Sequence, residues 1–194
     1  MNETGIKIVD MNDKIKKKLE ESGISEEMGS LENCDFLAIV ENDEKIVGAS
    51  GIGGIFKVLS LQIHPNYFNK GLGPKLIAMV IEEAKNRKYS YISASRNPEN
   101  INAVRLHDFF KLRRVFQIQY RPKFTRDVII LEFSNKGEMM GKFLSCFNNI
   151  VGMSILVICL KIFRKILFKF VLTYPPEEFP EPKIIYSIKK FKKI

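Results

Sequence analysis

The stretch from Phe56 to Ala84 constrains the fold most tightly. Phe56–His64 (FKVLSLQIH) alternates as a strand does, with Val58, Ser60 and Gln62 on one face and Leu59, Leu61 and Ile63 on the other. The loop Pro65–Gly73 follows, carrying two glycines. Leu76, Ile77, Val80, Ile81 and Ala84 then recur at the three-and-four spacing of one buried helix face, with Glu82, Glu83, Lys85 and Arg87 turned outward. A strand, a glycine-bearing loop and an amphipathic helix in succession point to a sheet covered by helices.

The rest of the first 135 residues extends that pattern. Gly5–Asp10 alternates like a short strand. Asn12 or Asp13 can cap a helix through Glu21, which Gly23 would end. Asp35–Glu41 and Lys45–Gly51 flank Asn42-Asp43-Glu44 as a β-hairpin. Tyr89–Ser95 is a further strand, Asn97-Pro98 breaks the chain, and a second long helix runs from about Asn100 to Phe110. Arg114–Tyr120 and Asp127–Phe133 are two more strands joined by a basic turn. This order predicts a mixed α/β sheet and excludes a repeat or a helical bundle.

A chain of 194 residues suits one domain with some dozens of residues to spare. We divide it into a domain at 1–135 and an appendage at 136–194. A hydrophobic fraction of 45% excludes a wholly disordered chain. The three cysteines, Cys34, Cys146 and Cys159, form no CxxC pair and no disulfide framework, so a reducing compartment is expected. Two histidines, His64 and His107, give no basis for a histidine-rich metal site, and no metal is expected. The N-terminal MNETGIKIVD lacks the basic and then apolar run of a signal peptide, so a cytoplasmic location is expected.

The formal net charge of +9 suggests nucleic acid until it is located. Residues 1–135 hold 20 Lys and Arg against 18 Asp and Glu, whereas residues 136–194 hold 11 against 4. The basic excess belongs to the appendage, and nucleic-acid binding by the domain is not favoured.

The loop Asn66-Tyr67-Phe68-Asn69-Lys70-Gly71-Leu72-Gly73-Pro74-Lys75 suits a phosphate or pyrophosphate. Glycines two apart let backbone approach a ligand, and the following helix presents unpaired N–H groups and its positive end. The alternative is a tight strand-to-helix turn with no ligand. No GxxxxGK[ST] is present, and Leu76 stands where a dinucleotide fingerprint needs its third glycine.

Two segments together resemble the GCN5-related N-acetyltransferase (GNAT) superfamily. Phe68-Asn69-Lys70-Gly71-Leu72-Gly73, after His64-Pro65, is similar to its pyrophosphate loop, (Q/R)xxGx(G/A). Asn100-Ile101-Asn102-Ala103-Val104-Arg105-Leu106-His107 is similar to its NxxAxxxY. The resemblance covers roughly residues 5–135. It implies a mixed, mostly antiparallel central sheet flanked by helices, here with a hydrophobic and basic helical appendage, and acetyl-CoA as cosubstrate. It further implies that amides from Phe68, Asn69, Lys70, Gly71, Leu72 and Gly73 cradle the pyrophosphate. The backbone of Leu61, Gln62 and Ile63 would pair with pantetheine like an added strand, and Asn100 would hydrogen-bond the same arm. His107 stands where many members place a Tyr near the thioester sulfur. The chain departs from the pattern at Phe68 (Gln or Arg in the family), at Pro74, which has no N–H, at His107, and at Lys111-Leu112, where Gly-Phe is usual.

The function implied is acyl-CoA-dependent N-acyltransfer, most simply of acetyl to a primary amine of a small molecule or protein, by direct attack in a ternary complex. His107 would protonate the departing thiolate, or else fill the site without proton transfer. No general base stands out among Gln62, His64, Glu41 and Glu99, and Ser93 and Ser95 are candidate polar contacts. The departures motivate one alternative, a catalytically degenerate module that binds CoA or a partner; a further one is a membrane-associated scaffold in which the tail matters more than the cleft. Acceptor specificity would lie in the first helix and the loops around Gly23–Glu32 and Arg121–Arg126, where no transferable motif occurs.

In the appendage, Phe143–Leu160 is a run of 18 uncharged residues, at the low edge for a membrane span and weakened by Asn148-Asn149. Lys161–Val171 reads as a basic amphipathic helix, 177–182 as a proline-rich spacer, and 183–194 as a lysine-rich end. A single crossing would export strong positive charge, against the positive-inside tendency. We therefore expect 143–194 to lie on an anionic membrane surface at the inner face of the cell membrane. A re-entrant hairpin is one alternative, and a helix packed on the domain or on a second copy in a homodimer is another.

Overall fold

The computed structural model describes residues 5–24, 31–121 and 124–162. Strands β1 (Ile6–Asp10), β2 (Cys34–Asn42), β3 (Lys45–Gly53), β4 (Val58–Ile63), β5 (Tyr91–Arg96), β6 (Arg113–Arg121) and β7 (Phe124–Glu132) form one sheet in the order β1-β2-β3-β4-β5-β7-β6. Every neighbouring pair is antiparallel except β4 with β5. The helices are α1 (Asp13–Glu21), α2 (Leu72–Asn86), α3 (Ile101–Phe109), α4 (Asn135–Ser145) and α5 (Ile150–Ile162). This is the mixed, mostly antiparallel sheet flanked by helices that the sequence led us to expect.

Alternation along each strand divides the core between the two faces. Phe36, Ala38, Ile52, Leu59, Ile92 and Ile129 pack under Leu76, Ile77, Val80 and Ala84 of α2, and Leu106 of α3 packs against the edge of that cluster. On the opposite face Leu37, Ile39 and Ile46 pack under Leu19 of α1, while Tyr91, Phe116 and Ile130 pack under Leu144 of α4 and Met153 of α5. Leu76, Ile77 and Val80 are fully buried. Each contributes roughly 1.5–3 kcal/mol, more than the cap and propensity differences that set helix ends. Packing places α2, and α2 places the loop before it.

Some boundaries move because non-glycine residues adopt left-handed backbone. Gly54 (φ 70) and Lys57 (φ 49) close the turn after β3, with the Lys57 N–H donating to the Gly54 carbonyl at 3.2 Å, so β4 starts at Val58 rather than Phe56. Lys88 (φ 59) ends α2: its N–H donates to the Lys85 carbonyl and that of Tyr89 to the Ala84 carbonyl, each at 2.9 Å. β5 therefore starts at Tyr91 rather than Tyr89.

The uncharged run 143–160 is not continuous helix. It is divided between the end of α4 and most of α5, and Asn149 makes the division. Its Oδ1 accepts the Gly152 N–H at 2.8 Å as the cap of α5, and its Nδ2 donates to the Cys146 carbonyl at 2.7 Å. Gly152 is required here, because a Cβ at that position would run into the Cys146 carbonyl oxygen. Among the described residues no helix is long and apolar enough to cross a membrane. The expected amphipathic helix beyond Ile162, the proline-rich spacer and the lysine-rich end lie outside the described residues.

Candidate functional site

β4 and β5 meet at one pair, Val58 with Ser93, and separate beyond it. The lower end is fastened by the Ser93 N–H to the Lys57 carbonyl (3.0 Å) and the Ser93 Oγ to the Phe56 carbonyl (2.7 Å). Leu61, Gln62 and Ile63 lie above this point. They are paired with β3 on one side, Ser50 to Leu61 and Gly48 to Ile63, and have no strand partner in β5 on the other. The structure thus leaves one edge of a central strand open. Gln62 is buried on the side-chain face away from α2, and Leu61 and Ile63 face α2.

The loop above β4 starts with a 3-10 turn, Pro65–Tyr67. His64 Nδ1 accepts the Asn66 N–H at 3.3 Å, which accounts for His64 as a turn-shaping residue. The Phe68 N–H donates to the Pro65 carbonyl at 3.1 Å and is therefore already engaged, and its ring is 55% exposed. Asn69 (φ 60) and Gly71 (φ 74) both turn left-handed. No side chain caps α2 at Gly71, and a Cβ there would have no atom within 4 Å. Leu72 and Gly73 belong to the first turn of α2 and not to the loop, so their N–H groups have no intrahelical acceptor; Pro74, the next residue, has none to offer. Lys70 Nζ sits over the Tyr67 ring, 4.4 Å from its centre. A Cβ at Gly73 would fall within ordinary contact of Leu61, Ile63 and Leu106, so β4, the start of α2 and α3 converge.

On α3, Asn100 is the N-cap. Its Oδ1 accepts the Ala103 N–H at 3.0 Å, which leaves Nδ2 as its available donor. His107 Nδ1 lies 2.7 Å from the Ala103 carbonyl. A carbonyl only accepts, so the proton is on Nδ1, and the neutral ring keeps its lone pair on Nε2. Burial pushes the imidazole below its ordinary value. The nearby Arg96 charge acts in the same direction, against the Ala103 bond and Asp108.

An open central strand thus lies beside an uncapped helix start, with Leu106 of α3 close to both. Residues 9–110 match the model of the Acetyltransferase (GNAT) family. The chain belongs to the GNAT family. Solved structures agree at the level of fold. The ribosomal-protein-S18-alanine N-acetyltransferase of Escherichia coli superposes with a TM-score of 0.55 at 13% identity, covering 69% of this chain and 97% of that one. Arabidopsis thaliana Naa50, in complex with the bisubstrate analogue CoA-Ac-MVNAL, gives 0.53 at 14% identity, covering 66% and 99%. The IAA acetyltransferase of Bacillus cereus gives 0.52 at 13%, covering 66% and 99%. No curated protein matches in sequence.

Within this GNAT fold the remaining candidates separate. Glu41 is held by Lys18 and Lys7, and the hydrogen bond from Lys18, joined by that from Lys7, keeps its carboxyl below the usual range, which suits a structural ion pair better than a base. Ser93 is buried and fastened as described, whereas Ser95 is exposed. Cys34 is buried, its thiol pushed up to about 12 by burial and by Asp35, so it is no nucleophile. Lys111 itself makes the left-handed turn for which the family commonly uses Gly (φ 61), with its N–H to the Asp108 carbonyl at 2.9 Å and that of Leu112 to the His107 carbonyl at 3.0 Å.

Sequence reasoning missed Arg96 and Asp127. Arg96, buried at the end of β5, donates to Asp108 Oδ1 at 2.8 Å and to the Val104 carbonyl at 3.1 Å, and lies 3.6 Å from the buried Asp127. Asp127 also accepts from Gln117 at 2.7 Å. These bonds join α3 to β5 and β7. The one available signal was a charged residue ending an otherwise apolar strand.

Proposed function

We propose that the chain is an acyl-CoA-dependent N-acyltransferase that moves acetyl from acetyl-CoA to a primary amine by direct attack in a ternary complex. The observation that carries this reading is the open edge of Leu61–Ile63 beside the uncapped start of α2. An extended amide-bearing arm can pair with the strand while a pyrophosphate meets the amides of Asn69, Lys70, Gly71, Leu72 and Gly73. Phe68 contributes apolar surface, since its amide is engaged. Asn100 Nδ2 is the donor for the pantetheine arm. Family membership and the analogue-bound fold relative support the same reading.

The tautomer changes what His107 would do. A neutral ring with its proton on Nδ1 has none on Nε2 to give, and burial disfavours the charged form. The thiolate-protonating role expected from sequence becomes the second half of a shuttle. Nε2 takes the proton shed by the attacking nitrogen, and the imidazolium so formed returns it to the thiolate as the carbon–sulfur bond breaks. Nitrogen gains the acetyl group and loses a proton, and sulfur gains that proton.

Calorimetry with acetyl-CoA and a thiol-release assay over a panel of amines test the reading. Binding with turnover supports it, and absence of binding overturns it. Binding without turnover on any amine identifies the degenerate module instead. The engaged Phe68 amide and the absent N–H of Pro74 favour that second reading, since both reduce the donors available to phosphate. Unchanged turnover in His107→Phe would remove the shuttle.

A further inference from the structure

α5 is apolar on every side. Met153 and Leu156 turn inward against the cluster of Tyr91, Phe116 and Ile130. Val151, Ile155, Ile158 and Ile162 recur at helical spacing on the outer side and are all more than half exposed, and Met139 and Phe143 of α4 are exposed as well. A helix with aliphatic side chains on both faces is ordinarily buried on both, so the outer ridge requires an occupant.

The charge pattern indicates which. From Met139 to Pro176 the sequence contains no Asp or Glu, while Lys142, Lys161, Arg164, Lys165 and Lys169 fall within the same stretch. A second copy of this chain offers, in the same segment, the same cations and no carboxylate to answer them. An anionic lipid surface answers both features, accepting the aliphatic ridge among its acyl chains and the cations among its headgroups. The described residues of α5 span about 20 Å, and among the described residues no helix is long and apolar enough to cross a membrane. We propose that the outer ridge of α5, extended by Phe143 of α4, is the surface by which this protein docks on an anionic membrane. This inference stands apart from the acetyl-transfer reading and is tested without acetyl-CoA.

The chain has no tryptophan, so one introduced on the ridge reports without background. Full-length Ile158→Trp, a conservative apolar change, is mixed with vesicles of phosphatidylcholine alone and of phosphatidylcholine with phosphatidylserine. The proposal expects a blue-shifted emission, quenched by brominated acyl chains, with the anionic vesicles, and a weaker response as salt is raised. Co-flotation of full-length Ile155→Glu should fall about tenfold or more relative to wild type. If that variant does not fold, Val151→Ser at the start of the ridge gives the same comparison. Emission unmoved by anionic vesicles, flotation insensitive to the ridge substitutions, or a dimer that masks the tryptophan and excludes vesicles would each overturn the proposal.

Discussion

Arg96 and Asp108 connect a strand to a helix: the guanidinium at the end of β5 donates at 2.8 Å to a carboxylate one residue beyond His107. The same guanidinium holds the Val104 carbonyl and faces Asp127. The helix that carries His107 is thus fastened to β5 and β7 through this cluster.

The two carboxylates should respond differently to substitution. Asp127 is 2% exposed and Asp108 is 57% exposed. Arg96→Met leaves the Asp127 charge buried with weakened compensation and should cost about 3–5 kcal/mol in urea denaturation. Asp108→Asn, at a solvated site, should cost less than about 1 kcal/mol.

Stability should fall on acidification in a way traceable to one side chain. The folded state holds a proton on His107 more weakly than the unfolded chain, whose ordinary value is 6.5. The stability this provides is complete above about pH 6.5 and is lost as pH falls through the lower folded value. Denaturation midpoints measured from pH 8 to 5 should drop more steeply for wild type than for His107→Phe.

The lysine that closes α3 is a site for stabilisation. Lys111 holds φ 61 with its Cβ in the unfavourable region. Lys111→Gly should raise stability by about 1 kcal/mol in a chemical melt, the relief of left-handed strain offset in part by added freedom of the unfolded chain.

Gly71 should separate ligand binding from folding. With φ 74 and open space where a side chain would stand, Gly71→Val costs about 1–2 kcal/mol of backbone strain and places methyl groups where a phosphate would approach. Calorimetry should show acetyl-CoA affinity reduced about tenfold or more in a protein that still folds.

Removing the cap of α5 should be visible as lost helix. Asn149→Ala forfeits the bond from Gly152 and the bond to Cys146, and should cost about 1 kcal/mol or somewhat more. Far-UV circular dichroism and hydrogen exchange at Val151–Met153 would record it.

Much of this arrangement was legible because periodicity reports burial. The spacing from Leu76 to Ala84 announced α2, and alternation from Val58 to Ile63 announced β4, since each pattern is a direct image of one face turned inward. The proposed site rests on that unit together with the second motif on α3. Three kinds of information were not carried this way. Left-handed lysines at 57, 88 and 111 follow from how helix and strand ends meet, which composition does not record. The Arg96–Asp127 contact joins residues distant in sequence through a strand order that no local window contains. The tautomer of His107 depends on a carbonyl one turn earlier, and that bond sets which ring nitrogen carries the lone pair.

Asn149 has a consequence for topology. Uninterrupted helix over the 18 uncharged residues from Phe143 to Leu160 would measure about 27 Å, close to the thickness of a bilayer's hydrocarbon interior. One amide side chain, by bonding forward to Gly152 and back to Cys146, divides that length between two shorter helices. A change at this single codon would therefore bear on how the run is divided into helices as well as on stability.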